Sequence, residues 1–540
     1  MFCFGSIRLV SALFVAMVWC NAMCPAQILQ VPIIPRPQNI SLEEHSQGFV
    51  ITKRTKIVAK SPVERNAASI LNESLQSFYG FKLVIATNLK TKNAIFIGLS
   101  DPKTSTSEGY SIRALPWQVL VNGSERGLFY GVQSLLQMIK QLKIGRLRIP
   151  KVDIDDAPRF PYRGMHLDVS RHFMPVEFVK KYIDLMAQYK FNYFHWHLTD
   201  DQGWRIEIKE YPKLTEIGST RPESQLGAYT KTFRGDGVPV SGFYTQDQIK
   251  EVVAYAKARY ITVIPEIEMP GHSSAALAAY PELSCKPDQS YHVQMTWGIF
   301  KEVYCPTDTT FKFLEDVLGE VIDLFPDSPY IHIGGDEVLK DMWKDSPDIT
   351  ALMEREHLKD TNEVQSYFVQ RMERFINSKG KRIIGWDEIL EGGLAPNAVV
   401  MSWRGNKGGI EAARAHHDVI MTPTDYSYFD YPQGDPRTEP IGGGGHLTLE
   451  KVYSFDPVPK ELTADEAKYI LGGQGNVWTE YMQTPEQVEY MVFPRMLAMA
   501  EDLWSTPENK DYADFRKRLD IQLARLAKQG VKYRRPDPLP

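Results

Sequence analysis

The stretch Tyr330-Ile-His-Ile-Gly-Gly-Asp-Glu-Val338 reads as a β-strand that ends in two adjacent carboxylic acids. Its isoleucines are β-branched, which favours a strand. Neighbouring side chains of a regular strand point to opposite faces, so Asp336 and Glu337 can share a pocket only if the glycines before them break the strand. Two such acids repel each other, and the pKa of one should rise. A protonated acid beside an ionised one can protonate a leaving group, so the stretch predicts an acid–base site.

This strand is one of eight apolar runs that follow Pro158 and Pro161. Amphipathic helical segments separate most of them, and the link between the fifth and sixth runs has room only for a reduced helix. Such alternation is typical of an α/β protein with a closed (β/α)8 TIM barrel, and an open doubly wound sheet is the alternative. The runs are residues 162–169, 191–198, 261–269, 330–335, 382–389, 398–403, 418–421 and 469–477.

Polar and tryptophan side chains cluster at the C-terminal ends of these runs, where an apolar strand does not need them. In a (β/α)8 barrel the loops at that rim build the active site. Arg163 stands apart from this set, near the start of the first run. The rim candidates are Asp168, Arg171, His195, His197, Asp200, Asp201, Glu266, Glu268, His272, Asp336, Glu337, Trp386, Asp387, Glu388, Trp403, Arg404, Tyr428, Asp430, Trp478 and Glu480.

The remaining chain divides around a barrel that we expect at residues 157–505. Residues 27–156 mix strand and helix patterns and contain no group of residues suited to catalysis. This predicts a small supporting α+β domain with helices at 64–79 and 125–142. Residues 506–540 predict a helical tail. Asn-x-Ser sequons in the small domain, usable if the source glycosylates exported proteins, are Asn39, Asn72 and Asn122.

The N-terminus has the pattern of a secretory signal. Arg8 precedes an apolar run at residues 9–19, and small residues follow up to Ala26. We therefore expect residues 1–26 to be a cleaved signal peptide and the protein to be exported, to a periplasmic, extracellular or lysosome-like location. A lipid-anchored surface form, through Cys24, fits the preceding residues less well.

Of five cysteines in the chain, only Cys285 and Cys305 lie beyond that segment, so a disulfide between them is expected. The length of 540 residues indicates more than one domain. Basic and acidic residues nearly balance, at 62 and 67, which argues against nucleic-acid or polybasic membrane partners. No segment of the mature chain is apolar enough to span a membrane.

Carboxylates together with several tryptophans at one rim describe a sugar pocket, because indole faces bind the apolar face of a pyranose. Glycoside hydrolysis normally uses two carboxylates several ångströms apart. The carboxyl groups of two residues adjacent in the chain are not easily placed that far apart. Their adjacency favours a variant in which the substrate itself provides the nucleophile.

The chain resembles glycoside hydrolase family 20, the β-N-acetylhexosaminidases, over about residues 33–504. The resemblance lies in ordered motifs: Arg163-Gly-Met-His-Leu-Asp168, His195-Trp-His-Leu-Thr-Asp200-Asp-Gln-Gly-Trp204, Glu268-Met-Pro-Gly-His272, His332-Ile-Gly-Gly-Asp336-Glu337, Gly385-Trp386-Asp-Glu, Ser402-Trp403-Arg-Gly, Tyr428-Phe-Asp430 and Gly473-Gln-Gly-Asn-Val-Trp478-Thr-Glu480.

This resemblance implies a retaining, substrate-assisted mechanism on terminal β-linked N-acetylglucosamine or N-acetylgalactosamine. Glu337 would be the general acid and then the base, while Asp336 would hold the substrate's 2-acetamido N–H. Tyr428 would donate to the acetamide oxygen, and Asp200 and His272 would tune Glu337 through a hydrogen-bonded relay. Trp386, Trp403 and Trp478 would wall the acetamide pocket, and Arg163, Asp430 and Glu480 would bind ring hydroxyls. No cofactor is implied.

Two other functions stay open at this stage. His195-x-His197 places two imidazoles on one strand face, where they could hold zinc with Asp200 or His272 in a metal-dependent hydrolase. A non-catalytic sugar-binding protein on the same scaffold would keep the tryptophans without needing Asp336 and Glu337. Long insertions at 201–242 and 432–461 are expected to shape the leaving-group side.

Overall fold

The structure, a computed structural model, describes residues 31–538 apart from 44–45, 89, 91, 101–106 and 229–231. The predicted signal peptide at residues 1–26 lies outside this part of the chain. Within the described ranges, no helix combines the length and the apolar character needed to cross a bilayer.

A small α+β region precedes the barrel and contains one mixed sheet and one antiparallel sheet. The first has seven strands in the order β1-β10-β6-β7-β5-β3-β4, and the second has three in the order β2-β9-β8. Helices Pro62–Tyr79 and Glu125–Met138 pack against the first sheet. The strands are β1 Asn39–Leu42, β2 Phe49–Thr52, β3 Lys56–Val58, β4 Val84–Ala86, β5 Ala94–Leu99, β6 Tyr110–Leu115, β7 Gln118–Gly123, β8 Lys140–Lys143, β9 Arg146–Ile149 and β10 Val152–Asp156.

The predicted helix at 125–142 is wrong at its C-terminal end. The helix stops at Met138, and the next residues form β8, which pairs with β9 across a turn at Gly145. Leu136, Ile139 and Leu142 keep a helical spacing, but backbone pairing with β9 overrides that local pattern.

The sequon asparagine Asn72 is buried, and its side-chain amide is hydrogen-bonded to the backbone of Leu83.

Eight parallel strands then close into a barrel, which confirms the (β/α)8 prediction. Every predicted apolar run contains one strand, and the last strand pairs with the first, with Arg163 opposite Gly473. The strands are β11 Tyr162–Asp168, β12 Tyr193–His197, β13 Thr262–Glu266, β14 Tyr330–His332, β15 Arg382–Trp386, β16 Val399–Ser402, β17 Val419–Met421 and β18 Ile470–Gly475.

Helices surround the barrel and present their apolar faces to it. The helix after β12 begins with a capping box, in which the Thr245 hydroxyl accepts from the Gln248 backbone N–H and the Gln248 side chain accepts from the Thr245 N–H. The short link after β15 holds only the 3-10 turn Asp387–Leu390, as expected. The main helices around the barrel are Val176–Gln188, Gln246–Lys257, Asp308–Leu324, Thr361–Ser378, Lys407–Arg414 and Arg495–Trp504.

Shorter elements occupy the loops at the rim and the outer surface. Two small antiparallel pairs join Thr199–Asp200 to Gly203–Trp204 and Thr220–Arg221 to Val240–Ser241. The other helices of these segments are Lys213–Glu216, Ser274–Ala279, Asp341–Lys344, Pro347–Glu356, Thr424–Ser427, Leu449–Tyr453 and Pro485–Val492, and the remaining 3-10 turns are Pro281–Leu283, Glu466–Tyr469 and Pro507–Asn509.

The predicted C-terminal helix spans Tyr512–Lys528 and ties the barrel to the small region before it. Arg518 lies 2.7 Å from the carboxylate of Glu501 and donates to the backbone oxygen of Ile33 at 2.9 Å. Arg525 donates to the backbone oxygen of Leu136 at 3.0 Å. The tail is therefore part of the packed structure.

Candidate active site

Asp336 and Glu337 lie just beyond the end of β14, where the backbone leaves the strand geometry. Gly334 and Gly335 have φ values of 68° and 93°, a region that favours glycine. A Cβ on Gly334 would stand 1.7 Å from Oε2 of Glu268, so any other residue would displace the Glu268 side chain as well as strain the backbone. Glu337 itself has φ 51°, and this bend lets both acids face the same histidine.

That histidine is His272, which follows β13. Its Nε2 lies 3.6 Å from Oδ2 of Asp336 and 3.5 Å from Oε2 of Glu337. On its other side, Nδ1 lies 2.9 Å from Oδ2 of Asp201 and 3.2 Å from Oδ1 of Asp200. The structure thus aligns the predicted relay, and it adds to it Asp201, a rim candidate to which the sequence analysis assigned no role in the relay.

The charges of this relay favour a protonated imidazole. Burial alone lowers the pKa of His272, but the carboxylates of Asp200 and Asp336 raise it well above its ordinary value. Burial raises the pKa of Asp336 to about 7, with Glu337 adding to the rise and His272 opposing it. Oδ1 of Asp336 is buried and has no hydrogen-bond partner in the described chain.

A second polar layer, centred on Glu266, lies beneath the acid pair. Oε1 of Glu266 accepts the indole N–H of Trp386 at 3.0 Å and lies 2.7 Å from Nδ1 of His332. Oε2 lies 2.9 Å from Nε2 of His195 and is hydrogen-bonded to His197. Nε2 of His197 in turn lies 2.7 Å from Oδ2 of Asp200. One buried carboxylate therefore connects the wall of the pocket to the relay.

Four aromatic rings form a continuous wall beside Asp336. Trp386 and Trp478 have ring centroids 5.8 Å apart, Trp478 and Tyr428 are 6.4 Å apart, and Tyr428 and Trp403 are 6.1 Å apart. The indole N–H of Trp403 donates to Oε2 of Glu388 at 3.0 Å. Burial first, then the charges of nearby acids that include Asp336, raise the pKa of Tyr428, so its phenol stays a hydrogen-bond donor.

Beyond this wall, polar groups line the barrel rim. Arg171 Nη2 lies 2.8 Å from Oδ2 of Asp200, and its guanidinium carbon lies 5.0 Å from the Trp478 ring centroid. Asp430 is buried, and its Oδ1 has no partner among the described residues. Burial and the charge of Glu480 raise the pKa of Asp430 well above its usual range. Burial also raises the pKa of Glu480, and Arg171 opposes this effect.

The assignment of Arg163 to the sugar site is wrong. Arg163 is fully buried at the opposite, N-terminal end of β11, where Nη1 lies 2.9 Å from Oε2 of Glu108 and Nε donates to the Lys190 backbone oxygen at 2.9 Å. The strand itself separates this arginine from the rim. Arg171 lies there instead, and its position after the strand was the signal available in the sequence.

Several His and carboxylate groups are close enough to hold a metal ion, among them His195–Glu266–His332 and His272–Asp336–Glu337. In the first set both histidines lie within ion-pair distance of Glu266, and His195 and His197 are buried inside the barrel. The HxH pair of the alternative zinc hypothesis forms part of the polar layer around Glu266.

The predicted disulfide between Cys285 and Cys305 is present, with the two Cα atoms 4.8 Å apart. The segment at 201–242 supports the arginine at the rim, because Arg221 donates to the backbone oxygens of Arg171 and Gln202. The segment at 432–461 packs on Asp430, whose backbone oxygen accepts from Gly443 N–H at 2.9 Å.

Comparison with known sequences gives one consistent result. The model described as "Glycosyl hydrolase family 20, catalytic domain" matches residues 160–507, and "Glycosyl hydrolase family 20, domain 2" matches residues 30–157. A β-hexosaminidase of Porphyromonas gingivalis is 47% identical over 94% of this chain, and the chain spans 65% of that protein's length. A β-hexosaminidase of Vibrio furnissii is 36% identical over 87% of this chain and 76% of that protein.

Solved structures agree with the sequence matches. The exo β-N-acetylglucosaminidase of Vibrio harveyi, in complex with N-acetylglucosamine, superposes with a TM-score of 0.84 at 34% identity. That alignment covers 94% of this chain and 79% of the other. The β-N-acetylhexosaminidase of Bacteroides fragilis has a TM-score of 0.79 at 32% identity, covering 93% of this chain and 97% of the other.

Proposed function

Because this chain belongs to glycosyl hydrolase family 20, we propose that it is an exo-acting β-N-acetylhexosaminidase. It removes terminal β-linked N-acetylglucosamine or N-acetylgalactosamine from the non-reducing end of an oligosaccharide or glycoconjugate. The observation that carries this proposal is the buried Oδ1 of Asp336, which has no partner among the described residues and lies beside the four-ring aromatic wall. Such a carboxylate is suited to accept the N–H of a 2-acetamido group enclosed by the rings.

The displacement at the anomeric carbon is made by the substrate's own acetamide oxygen. Asp336 accepts the acetamide N–H and so orients the group, and the Tyr428 phenol donates to the carbonyl oxygen. The attack is intramolecular and gains the effective concentration of a tethered nucleophile. The cyclic oxazolinium that forms carries positive charge, which the ionised Asp336 stabilises. Because the substrate supplies the nucleophile, the two adjacent acids do not need to lie on opposite sides of the sugar ring.

Glu337 moves the protons of the two half-reactions. In the first it protonates the glycosidic oxygen as the bond to the leaving group breaks. In the second the resulting carboxylate takes a proton from the water that attacks the anomeric carbon, which regenerates the acid. The protonated His272, held by Asp200 and Asp201, lies 3.5 Å from the Glu337 carboxyl and stabilises its ionised form between these steps.

Asp336 has to be ionised in the complex, although its pKa in the free protein is raised to about 7. A hydrogen bond from the acetamide N–H and the positive charge of the intermediate both favour the anion. Binding of the N-acetyl group therefore lowers the pKa of Asp336. A hexose without that group gives no such assistance, which is a physical basis for selecting N-acetylhexosamines.

The ring hydroxyls of the bound sugar meet Arg171, Asp430 and Glu480. The unpartnered Oδ1 of Asp430 is a ready acceptor, and Arg171 offers a guanidinium beside Glu480. This set has few groups that would reject an axial hydroxyl at carbon four. Both hexosamines are therefore proposed as substrates.

We also propose that the protein is exported. The pattern around Arg8 and residues 9–19 supports this, as does the disulfide between Cys285 and Cys305, since such bonds persist in oxidising compartments.

The decisive experiment compares nitrophenyl β-N-acetylglucosaminide with nitrophenyl β-glucoside, which lacks the acetamide. We expect at least a 10³-fold preference for the first in kcat/KM, because tethered nucleophiles reach effective molarities of about 10⁵ M or more. Equal turnover of the two would exclude acetamide assistance. Binding of N-acetylglucosamine without turnover of either substrate would indicate a sugar-binding protein.

A further inference from the structure

The charges of this protein are divided unevenly between its two parts. Residues 27–156 contain 17 lysines and arginines against 10 acidic residues, while residues 157–540 contain 44 against 57. Within the small N-terminal region, the stretches 45–63, 74–100 and 126–152 contain no aspartate or glutamate. The near balance over the whole chain, which argued against a polybasic membrane surface, therefore combines a basic region with an acidic remainder.

One edge of the seven-stranded sheet gathers exposed groups from these stretches. β3 and β4 begin there together, since Lys56 pairs with Val84, and β5 begins beside them, since Lys56 also pairs with Ala94. Gln118 of β7 pairs with Ala94 in turn, so the turn between β6 and β7, which carries Trp117, lies at the same edge. Neighbouring strands are about 4.8 Å apart, so these four strand starts form a row of about 15 Å.

The hairpin formed by β8 and β9 extends this edge. Arg146, the first residue of β9, pairs with Thr52 at the end of β2. The chain then turns tightly into β3, and the backbone N–H of Thr55 donates to the Thr52 oxygen at 2.9 Å. The tip of the hairpin, at Ile144, therefore lies beside the start of β3.

The cations of this surface, which we call the basic edge, lack acidic partners. Nearby, Arg113 and Lys151 pair with Asp153 and Glu43. The cations of the basic edge have no ion-pair partner within the described part of the chain, although all are exposed. They are Lys53, Arg54, Lys56, Lys92, Lys140, Lys143 and Arg146.

Like charges also face each other across the hairpin, with Lys140 opposite Arg148 and Lys143 opposite Arg146. Such pairs disfavour the hairpin. Lysine on an edge strand prevents pairing with other chains, which accounts for β8 but not for the turn at 53–54. An anionic partner would relieve the repulsion in both places.

Exposed apolar side chains lie among these cations. Ile144 is 94% exposed, Val84 63% and Trp117 62%. Cations around bare aliphatic and tryptophan side chains match the interface of an anionic bilayer, where the charges meet phosphates and the apolar groups enter the headgroup region. A dissolved polyanion would use the cations alone, and a second copy of this chain would be repelled by them.

The basic edge points away from the barrel. The opposite end of the sheet contacts the barrel, where the Tyr110 hydroxyl at the start of β6 accepts from Nζ of Lys190 at 2.8 Å. The turn at 115–118 lies at the other end of that strand. A partner bound at the basic edge therefore leaves the catalytic rim open to substrate.

We propose that the basic edge docks the protein onto the surface of an anionic lipid bilayer. The cations provide the attraction, and Ile144 and Trp117 enter the headgroup layer. The docking is independent of catalysis, because no residue of the candidate active site takes part in it.

Sedimentation of the whole protein with vesicles measures this docking, using phosphatidylcholine with and without phosphatidylglycerol. We expect binding to the anionic vesicles at low salt and release as salt screens the charges. Lys143→Glu combined with Arg146→Glu should weaken the partition at least about 30-fold, because each cation near an anionic bilayer contributes about a factor of five. This double variant exchanges one like-charged pair for another, so the cross-strand repulsion is unchanged.

Arg374→Glu combined with Lys379→Glu is the matched control. Both residues are exposed on the outer side of the barrel, at the end of helix Thr361–Ser378. The control removes the same number of cations and should retain vesicle binding. All variants share the same N-terminus, so any binding through residues 1–26 cancels in the comparison.

The apolar contribution is tested by Ile144→Ser and Trp117→Ala, each of which should weaken vesicle binding about tenfold. Absence of binding to the anionic vesicles, or an equal loss in the control pair, would overturn the proposal. Binding to heparin that Ile144→Ser and Trp117→Ala leave unchanged, without binding to vesicles, would assign the basic edge to a soluble polyanion instead. All variants should keep kcat/KM for nitrophenyl β-N-acetylglucosaminide, and an inactive wild type would refute the glycosidase function without affecting the vesicle result.

Discussion

The two ends of the barrel each carry a buried arginine beside carboxylates, and they differ in how completely those groups are paired. At the N-terminal end, Arg163 has Glu108, Tyr130 and the backbone oxygens of Phe160 and Lys190 as acceptors. At the C-terminal end, polar atoms stay unpartnered in the described chain, among them Oδ1 of Asp336, Oδ1 of Asp430, both carboxylate oxygens of Glu268 and Nε1 of Trp478.

This difference separates stability from function. A buried polar atom without a partner costs free energy, so a protein retains it where a ligand completes the hydrogen bond. The raised pKa values of Asp336, Glu268 and Asp430 record the same cost at the C-terminal end. The arginine at the N-terminal end holds the structure together, and the acids at the other end are arranged for a substrate.

The largest effect should come from Glu337→Gln. Glutamine keeps the size of the side chain and removes the transferable proton, so kcat for an oligosaccharide should fall by about 10²–10⁴-fold. A dinitrophenyl glycoside, whose leaving group needs little protonation in the first step, should lose less. Measured kcat values on both substrates check this, with the thermal midpoint as a control for folding. Equal losses on the two would contradict the role of Glu337 as an acid.

The two arginines should respond in opposite ways. Arg163→Met leaves the buried Glu108 without its main partner, so the free energy of unfolding should fall by ~3–5 kcal/mol with kcat/KM of the folded enzyme retained. Arg171→Met should mainly raise KM, because Asp200 keeps His197 and His272 as partners. Denaturant unfolding and steady-state kinetics on both variants test the contrast. A raised KM with normal stability in Arg163→Met would restore Arg163 to the sugar site.

Replacing Asp336 should stabilise the protein while inactivating it. Because burial raises its pKa to about 7, the unfolded chain releases this proton at lower pH than the folded one, and the folded state is penalised as pH rises from 4 to 7. Asp336→Asn removes that penalty, which we expect to be about 2–4 kcal/mol above pH 7. Thermal midpoints should differ at pH 7.5 and converge at pH 4.5. A constant gap at both pH values would show that ionisation is not the cause.

The smallest effect should come from the residue behind Trp403. Glu388→Ala leaves the partly buried indole N–H of Trp403 without its acceptor, and losing such a hydrogen bond costs about 0.5–1.5 kcal/mol. We expect kcat/KM for the N-acetylglucosaminide to fall about tenfold. Glu388→Gln keeps an acceptor oxygen and should recover most of the loss. If both variants lose activity equally, the charge of Glu388 matters rather than its hydrogen bond.

The sequence determined the elements that depend on local patterns. The eight apolar runs, their helices and the capping box at Thr245 follow from side-chain periodicity and backbone hydrogen bonding within a few residues. The acids at Asp336 and Glu337 and the glycines before them were also identifiable, because only glycine fits the backbone that places both acids together. Secondary structure and local backbone conformation depend on residues close together in the chain, so they can be predicted from the sequence.

Tertiary structure alone decided which distant groups meet. It placed Arg163 against Glu108 and Arg171 at the rim, although both lie close to β11 in the sequence. It paired Asp201 with His272, raised the pKa of Asp336 through burial, and brought the loop at 285–305 and Leu339 to the same cavity. Burial, charge proximity and cavity shape depend on residues far apart in the chain, and these contacts exist only once the barrel has closed.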